Sequence, residues 1–258
     1  MRLSKSFSEI SGTVKVRVPR TIRLRLEAFL LAAILWSPTL WAQTNLVSSD
    51  QLITCQAQQT DGKLVLGGAF TELGGQPRPY LGRALANGAL DTSFAPVLDG
   101  PIQALVIQTN GQIVVAGTFT TLAGHACTNF GRLNPDGTLA PGFAGTVSGT
   151  ISVMAAQLDG KILVMGAFTA LSGQSCPGFG RINSDGSIDS SFAFPGADGN
   201  VLALAPQANG QTVIGGSFTQ LGGQAHNRLG RINADGSVDA NFNSTLLSFS
   251  LADLPLHK

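Results

Sequence analysis

Four positions spaced by 49, 49 and 50 residues hold Arg78, Cys127, Cys176 and His226. Thiolates and imidazoles are ligands that zinc selects, so Cys127, Cys176 and His226 are the candidates for a metal. The same spacing offers a Cys127–Cys176 disulfide, which needs Cα atoms within about 7 Å. Against both stands the geometry of a repeat: residues one period apart point alike from neighbouring units, too far apart for either bond. The register reads first as a repeat's variable surface position, and no cofactor is expected.

Oxygen-rich turns are a second candidate. Asn183–Asp189 and Asn233–Asp239 carry oxygens suited to calcium, which takes six or more. The first unit lacks the leading Asn, however, and the second has Ala140 in place of the last Asp. A hairpin turn accounts for N-x-D-G without an ion.

Arg83, Arg132, Arg181 and Arg231 each follow a glycine and keep the same period. Four guanidinium groups lining a channel would hold an anion. An arginine written into every unit beside core residues reads instead as construction: each pairs with a turn carboxylate or with backbone carbonyls and locks unit to unit. There is no G-x-S-x-G and no H-E-x-x-H. His125, His226 and His257 fall at unrelated registers. No catalytic residue is expected.

What positions these residues is a unit written four times. GKLVLGGAFTELGGQ (62–76), GQIVVAGTFTTLAGH (111–125), GKILVMGAFTALSGQ (160–174) and GQTVIGGSFTQLGGQ (210–224) are one phrase. A second turn follows at Asn87-Gly88, Asp136-Gly137, Asp185-Gly186 and Asp235-Gly236, and a phenylalanine closes each unit at Phe94, Phe143, Phe192 and Phe242. Within a unit, apolar runs such as 101–108 and 112–119 flank Asn110-Gly111. That dipeptide predicts a tight hairpin, because both of its residues tolerate φ > 0 as a primed turn asks. A third strand falls near 129–134, and a fourth ends near Phe143. No window carries a sustained helical period.

Four short antiparallel strands repeated every ~40–50 residues are the signature of propeller blades. The expectation is therefore an all-β chain, a β-propeller of four ~49-residue, four-stranded repeats whose ring is incomplete or imperfectly closed. The units span about 52–94, 102–143, 151–192 and 201–242, and 243–258 begins a fifth unit or supplies a closing strand. Phe70, Phe119, Phe168 and Phe218, with the closing set, are expected in the core between sheets.

The pattern Q-x-[DN]-G-K-x-x-V-x-G-x-F-T followed by G-R-[LI]-N-x-D-G-[ST]-[LIV]-D-x-x-F resembles the delta-60 repeat, a bacterial β-propeller repeat. It is clearest in QLDGKILVMGAFT (157–169) and GRINSDGSIDSSF (180–192), and covers about residues 52–242. The first unit departs most, with ALANGALDTSF at 84–94. The resemblance implies an exported or cell-surface propeller and a motif that is structural throughout.

Composition agrees. With 43% hydrophobic residues, 12% charged residues and 32 glycines, the chain suits a folded β protein rather than a disordered or helix-rich one. Seven of its sixteen Lys/Arg lie in residues 1–42 against two of its fifteen Asp/Glu. The remainder is mildly acidic without a basic run, which argues against nucleic acid. The basic start, AFLLAAILW (28–36) and SPTLWAQ (37–43) predict a signal peptide over 1–42, with cleavage after Ala42. Its apolar stretch is shorter than the ~20 residues of a membrane span, so the mature chain, 43–258, is expected to be secreted, periplasmic or at the cell surface, without a span. Cys55, Cys127 and Cys176 are an odd number, so no disulfide framework is expected.

The functional expectation is a non-catalytic interaction or structural module for a protein or cell-surface ligand, with homodimerisation through the terminal blades. The alternatives are a lectin-like or anion-binding propeller and, below that, a lyase- or hydrolase-type propeller enzyme. A lectin is disfavoured because both tryptophans, Trp36 and Trp41, lie in the leader.

Overall fold

The computed structural model describes residues 47–242; the expected signal peptide and the 243–258 segment lie outside the described residues. All regular elements among them are strands. The first unit holds β1 (Ile53–Gln58), β2 (Leu64–Gly68), β3 (Glu72–Leu73), β4 (Gln76–Pro77) and β5 (Leu81–Ala84). The second holds β6 (Ile102–Ile107), β7 (Ile113–Gly117), β8 (Thr121–Leu122), β9 (His125–Ala126) and β10 (Phe130–Leu133). The third holds β11 (Val147–Ala156), β12 (Ile162–Leu171), β13 (Gln174–Ser175) and β14 (Phe179–Ile182). The fourth holds β15 (Val201–Pro206), β16 (Thr212–Gly216), β17 (Gln220–Leu221), β18 (Gln224–Ala225) and β19 (Leu229–Ile232).

Each unit is an antiparallel blade with its second strand at the centre: β1-β2-β5, β6-β7-β10, β11-β12-β14 and β15-β16-β19. The fourth strand contracts to a single bridge, Ala84 to Leu90, Leu133 to Leu139, Ile182 to Ile188 and Ile232 to Val238. The Asn/Asp-Gly turn before it closes as the first turn does, with Gly137 N–H on Asn134 O and Asn134 N–H on Thr138 O, and the chain then leaves the sheet for the closing phenylalanine.

The hairpin turns differ in type from the expectation. Only the glycine takes φ > 0, for example Gly111 at +82° and Gly160 at +82°, while the Asn or Asp before it does not. Gly111 N–H donates to Gln108 O and Gln108 N–H to Gln112 O, both at 2.8 Å. This is a type I turn ending in a left-handed glycine. The Asn or Asp serves another purpose: Asn110 Oδ1 accepts the Gln112 N–H at 3.0 Å, and Asp159 does the same for Lys161. Side-chain bonding of this kind is what turns select Asn and Asp for. The primed geometry occurs in the short hairpins, where Ala123 (+50°) and Gly124 (+77°) are both left-handed.

Stacking explains why the central strands read as continuous apolar runs. Ile113 and Val115 of β7 enter a core with Val65, Leu81 and Phe94 of the first blade. The alternate residues Val114 and Ala116 enter one with Ile162, Val164 and Phe168 of the third. Successive strand residues point to opposite faces, so a strand between two blades is buried on both. The inner strands pack in succession, β1 on β6, β6 on β11 and β11 on β15, and no packing of that extent returns from β15 to β1 among the described residues. Phe70, Phe119, Phe168 and Phe218 are all buried.

Candidate functional site

The Gly-Arg motif sits on the third strand of each blade, and the arginine is held by the turn that follows it. Arg83 Nε and Nη2 reach Asp91 Oδ2, both at 2.9 Å, with either side chain under a tenth exposed. Arg181 donates to Asp189 at 2.7 Å and Arg231 to Asp239 at 2.7 Å. Each guanidinium also lies over its own closing phenylalanine: Arg83 over Phe94 at 4.5 Å, Arg132 over Phe143 at 5.2 Å, Arg181 over Phe192 at 4.7 Å and Arg231 over Phe242 at 4.9 Å.

The remaining guanidinium nitrogen leaves the blade. Arg83 Nη1 donates to Pro135 O at 2.5 Å, Arg132 Nη1 to Ser184 O at 2.8 Å and Arg181 Nη1 to Ala234 O at 2.5 Å. Every acceptor is the same carbonyl of the next blade's second turn. The glycine of that turn is required by the same contact. A Cβ on Gly137 would meet the Phe94 ring at 3.1 Å, and one on Gly186 the Phe143 ring at 2.8 Å. The first-turn glutamines complete the clasp: Gln59 Oε1 accepts from Arg83 and Gln157 Oε1 from Arg181.

The clasp carboxyls are held ionised. Burial pushes Asp91 and Asp189 upward, but hydrogen bonds from Ser93 and Arg83 to the first, and from Lys161, Ser191 and Arg181 to the second, outweigh it and leave both below the usual carboxylate range. Lys161 Nζ lies 2.9 Å from Asp189 Oδ2, giving the third blade a second cation on one carboxylate.

A further aspartate set is missing from the sequence reading. Asp50 Oδ1 accepts the N–H groups of Thr71 and Glu72, both at 2.9 Å, and its Oδ2 accepts the Thr71 hydroxyl at 2.6 Å. Asp99 does the same for Thr120 and Thr121, and Asp198 for Thr219 and Gln220. The Thr71 hydroxyl and then the backbone donors hold Asp50 down to about 2; the equivalent bonds bring Asp99 to about 2. The signal was an Asp 21 residues before the threonine of each F-T pair. Ser148 breaks it in the third blade, where β11 and β12 instead stay paired to Leu171 across register shifts at Ser148/Gly149 and Ile151/Val153.

The Arg78, Cys127, Cys176 and His226 register lies against the motif glycine. A Cβ on Gly131 would sit 2.6 Å from Cys127 Sγ, one on Gly180 2.5 Å from Cys176 Sγ, and one on Gly230 3.7 Å from the His226 ring. Each thiol points into its own blade, Cys127 toward Phe130 O and Cys176 toward Phe179 O, both at 3.4 Å. All three cysteines are free, and no three His, Cys, Asp or Glu converge as a metal site among the described residues. The oxygens of the suggested calcium loops are directed elsewhere: Asp185 and Asp235 each bond a serine of their own turn, and Asp189 and Asp239 face arginines.

Between the third and fourth blades lies an open cleft of about 760 Å³ walled by Phe179, Phe192, Phe194, Cys176, Asn200 and Leu202. The Phe179 ring meets Phe194 edge-on at 4.7 Å and Phe192 at 5.6 Å. The extra residue of the 50-residue period falls in this linker, between Phe192 and Val201.

Stacked three-stranded blades joined by a recurring arginine clasp define a β-propeller repeat protein. The model of the DUF5122 β-propeller, a domain of unknown function, matches residues 59–94, 108–143, 157–192 and 207–242, and this chain belongs to that family. Each match runs from the first-turn position held by Gln59, Gln108, Gln157 or Gln207 to the closing phenylalanine, so it contains the whole clasp. No curated protein matches. Among solved structures the chain is similar to a protein of unknown function from Bacteroides caccae, at 16% identity over 72% of this chain and 79% of that one, with a TM-score of 0.32. It is also similar to a "putative gluconolactonase", at 15% identity and TM-score 0.37 over 70% of this chain, and spans 64% of that protein's length.

Proposed function

We propose that this chain is an exported, non-catalytic β-propeller of the delta-60 type, serving as an interaction or structural module for a protein or cell-surface ligand. One observation carries the reading. The recurring Arg, Asp and Gln of the motif bond one another and the next blade's turn, so the motif's polar chemistry is directed to assembly. Exposed short-hairpin residues that differ from blade to blade, such as His125, Ser175 and Ala225, are then left to set the partner. Export rests on the basic and apolar leader of residues 1–42, and no helix among the described residues is long and apolar enough to cross a membrane. Self-association through the first and fourth blades is the accompanying partner contact, and light scattering of the mature chain reads it directly.

The test is expression of the full chain in an exporting bacterial host, N-terminal sequencing, and capture of crosslinked partners from the cell surface. A mature N-terminus near residue 43 and a discrete partner lost on exchange of the variable loops support the proposal. A retained leader overturns export, and turnover of a lactone, ester or glycan by the purified protein overturns the non-catalytic reading. A lectin-like propeller is the alternative, favoured by the aromatic cleft between the third and fourth blades. Saturable binding on a glycan array, lost in Phe194→Ala, would select it.

A further inference from the structure

The second blade breaks the clasp at one place. Where Asp91, Asp189 and Asp239 accept from arginine, the second blade has Ala140, itself buried. Where Ser93 and Ser191 each give a hydroxyl and an N–H to that aspartate, it has Gly142. Arg132 keeps two parts of the arrangement, Nη1 on Ser184 O at 2.8 Å and the guanidinium over Phe143, while Nη2, which holds the aspartate in the first and fourth blades, donates to Pro141 O at 3.0 Å.

Two buried polar atoms are left without partners there, Arg132 Nε and Gln108 Oε1. Gln108 is 4% exposed and its Nε2 reaches Ser184 O at 3.3 Å, the carbonyl that Arg132 also holds. The two orphaned atoms therefore belong to side chains that meet at one point. A buried donor or acceptor left unsatisfied is costly, and the partly buried Arg132 guanidinium has no carboxylate on its Nε edge to offset its desolvation. Burial depresses Arg132, with only the charge of Asp185 opposing it; that carboxylate already accepts from the Ser187 N–H and hydroxyl.

We propose that the position vacated by the aspartate, beside Ala140, Gly142 and Arg132 Nε, is a binding site for a small planar oxyanion of carboxylate size. The groups the second blade lacks are a carboxyl and a hydroxyl, together the heavy atoms of hydrogen carbonate. That ion presents an oxygen to Arg132 Nε–H at the place where Asp91 and Asp189 sit on the other blades' arginines, and its hydroxyl takes the place left by Gly142. Formate fills the carboxylate position and satisfies the arginine alone. The other blades supply the equivalent charge from their own chain, so the site is confined to the second. This inference does not depend on the interaction-module reading, and its failure would leave that reading untouched.

The experiment is thermal denaturation of the mature chain and of Ala140→Asp at fixed ionic strength, titrating sodium hydrogen carbonate or sodium formate against sodium chloride. A saturable rise in Tm of roughly 3–6 °C is expected at ten times Kd for the wild type, larger for hydrogen carbonate than for formate. Ala140→Asp should melt higher without added anion and gain nothing from it. Should that variant fail to fold, exchange broadening of ¹³C-labelled hydrogen carbonate by the wild type, reversed by excess formate, reads the same site. No saturable effect of either ion, or equal effects on both proteins, overturns the proposal. A buried water alone would appear as a more stable Ala140→Asp with a wild type indifferent to both ions, and overturns it equally.

Discussion

Arg83 Nη1 in the first blade and the carbonyl of Pro135 in the second stand 2.5 Å apart, and the same bond links Arg181 to Ala234 two blades later. One side chain thus closes its own blade through Asp91 and Phe94 and fixes the distance to its neighbour. The arrangement makes the four arginines unequal. Arg83 and Asp91 are both nearly fully buried, Asp189 retains Lys161 when Arg181 is lost, and Arg231 is a quarter exposed.

Arg83→Ala should therefore cost the most, about 3–5 kcal/mol, because it leaves a buried carboxylate unpaired. Arg181→Ala should cost about 2–3 kcal/mol, since Lys161 remains beside Asp189, and Arg231→Ala about 1 kcal/mol after allowance for solvent. Urea unfolding of the three variants gives the order; equal losses would show that the interblade bond and the buried pair carry no weight.

Acid should weaken the protein in a defined window. Asp50 and Asp99 fall to about 2 in the folded chain against about 3.9 when unfolded. Because the folded value is depressed, the stabilisation is complete above about pH 4 and disappears as pH falls through about 2. Asp99→Asn should flatten the dependence of stability on pH between those limits while leaving the slope above pH 5 unchanged, as followed by denaturant midpoints at each pH.

Ala123 holds φ +50° in a two-residue hairpin where the first and fourth blades have Gly74 and Gly222. Left-handed backbone costs a residue with a Cβ about 1 kcal/mol, partly offset by glycine's greater freedom when unfolded. Ala123→Gly is expected to raise Tm by roughly 1–3 °C. A lower Tm would show that the alanine methyl packs better than its backbone strain costs.

The repeat and strand order were legible because stacking imposes two periods at once: apolar runs where a strand is covered on both faces, and a 49-residue return of turn and core. The clasp arginines stood out for the same reason. Turn geometry was less legible, since Asn110-Gly111 is compatible with both a primed turn and a type I turn with a left-handed glycine, and it takes the backbone, with only Gly111 left-handed and Gln108 paired to Gln112, to separate them. Asp50, Asp99 and Asp198 escaped because their partners lie 21 residues onward across a loop, and Ser148 interrupts the series. The cleft at Phe194 could not be read, since Phe194 falls in a linker outside the repeat's recurring positions.

The cysteines should be slow nucleophiles. Burial pushes the Cys55 thiol up to about 12 and raises Cys127 and Cys176 above their ordinary value, and only the thiolate reacts. Iodoacetamide at pH 8 is expected to label Cys55 last in the native protein and all three together in urea, as followed by mass spectrometry. Fast native labelling of Cys55 would mean that the first blade opens readily.

The claim that the motif builds the contact between blades is tested most directly by hydrogen exchange in Arg83→Ala. Arg83 lies in β5, but the carbonyl it holds belongs to the turn 134–138 of the next blade. Under native conditions the substitution is expected to release the amides of Gly137 and Thr138, and then of β10, by at least tenfold. Exchange accelerated only within residues 83–94, with the 134–138 turn as protected as in the wild type, would contradict the account.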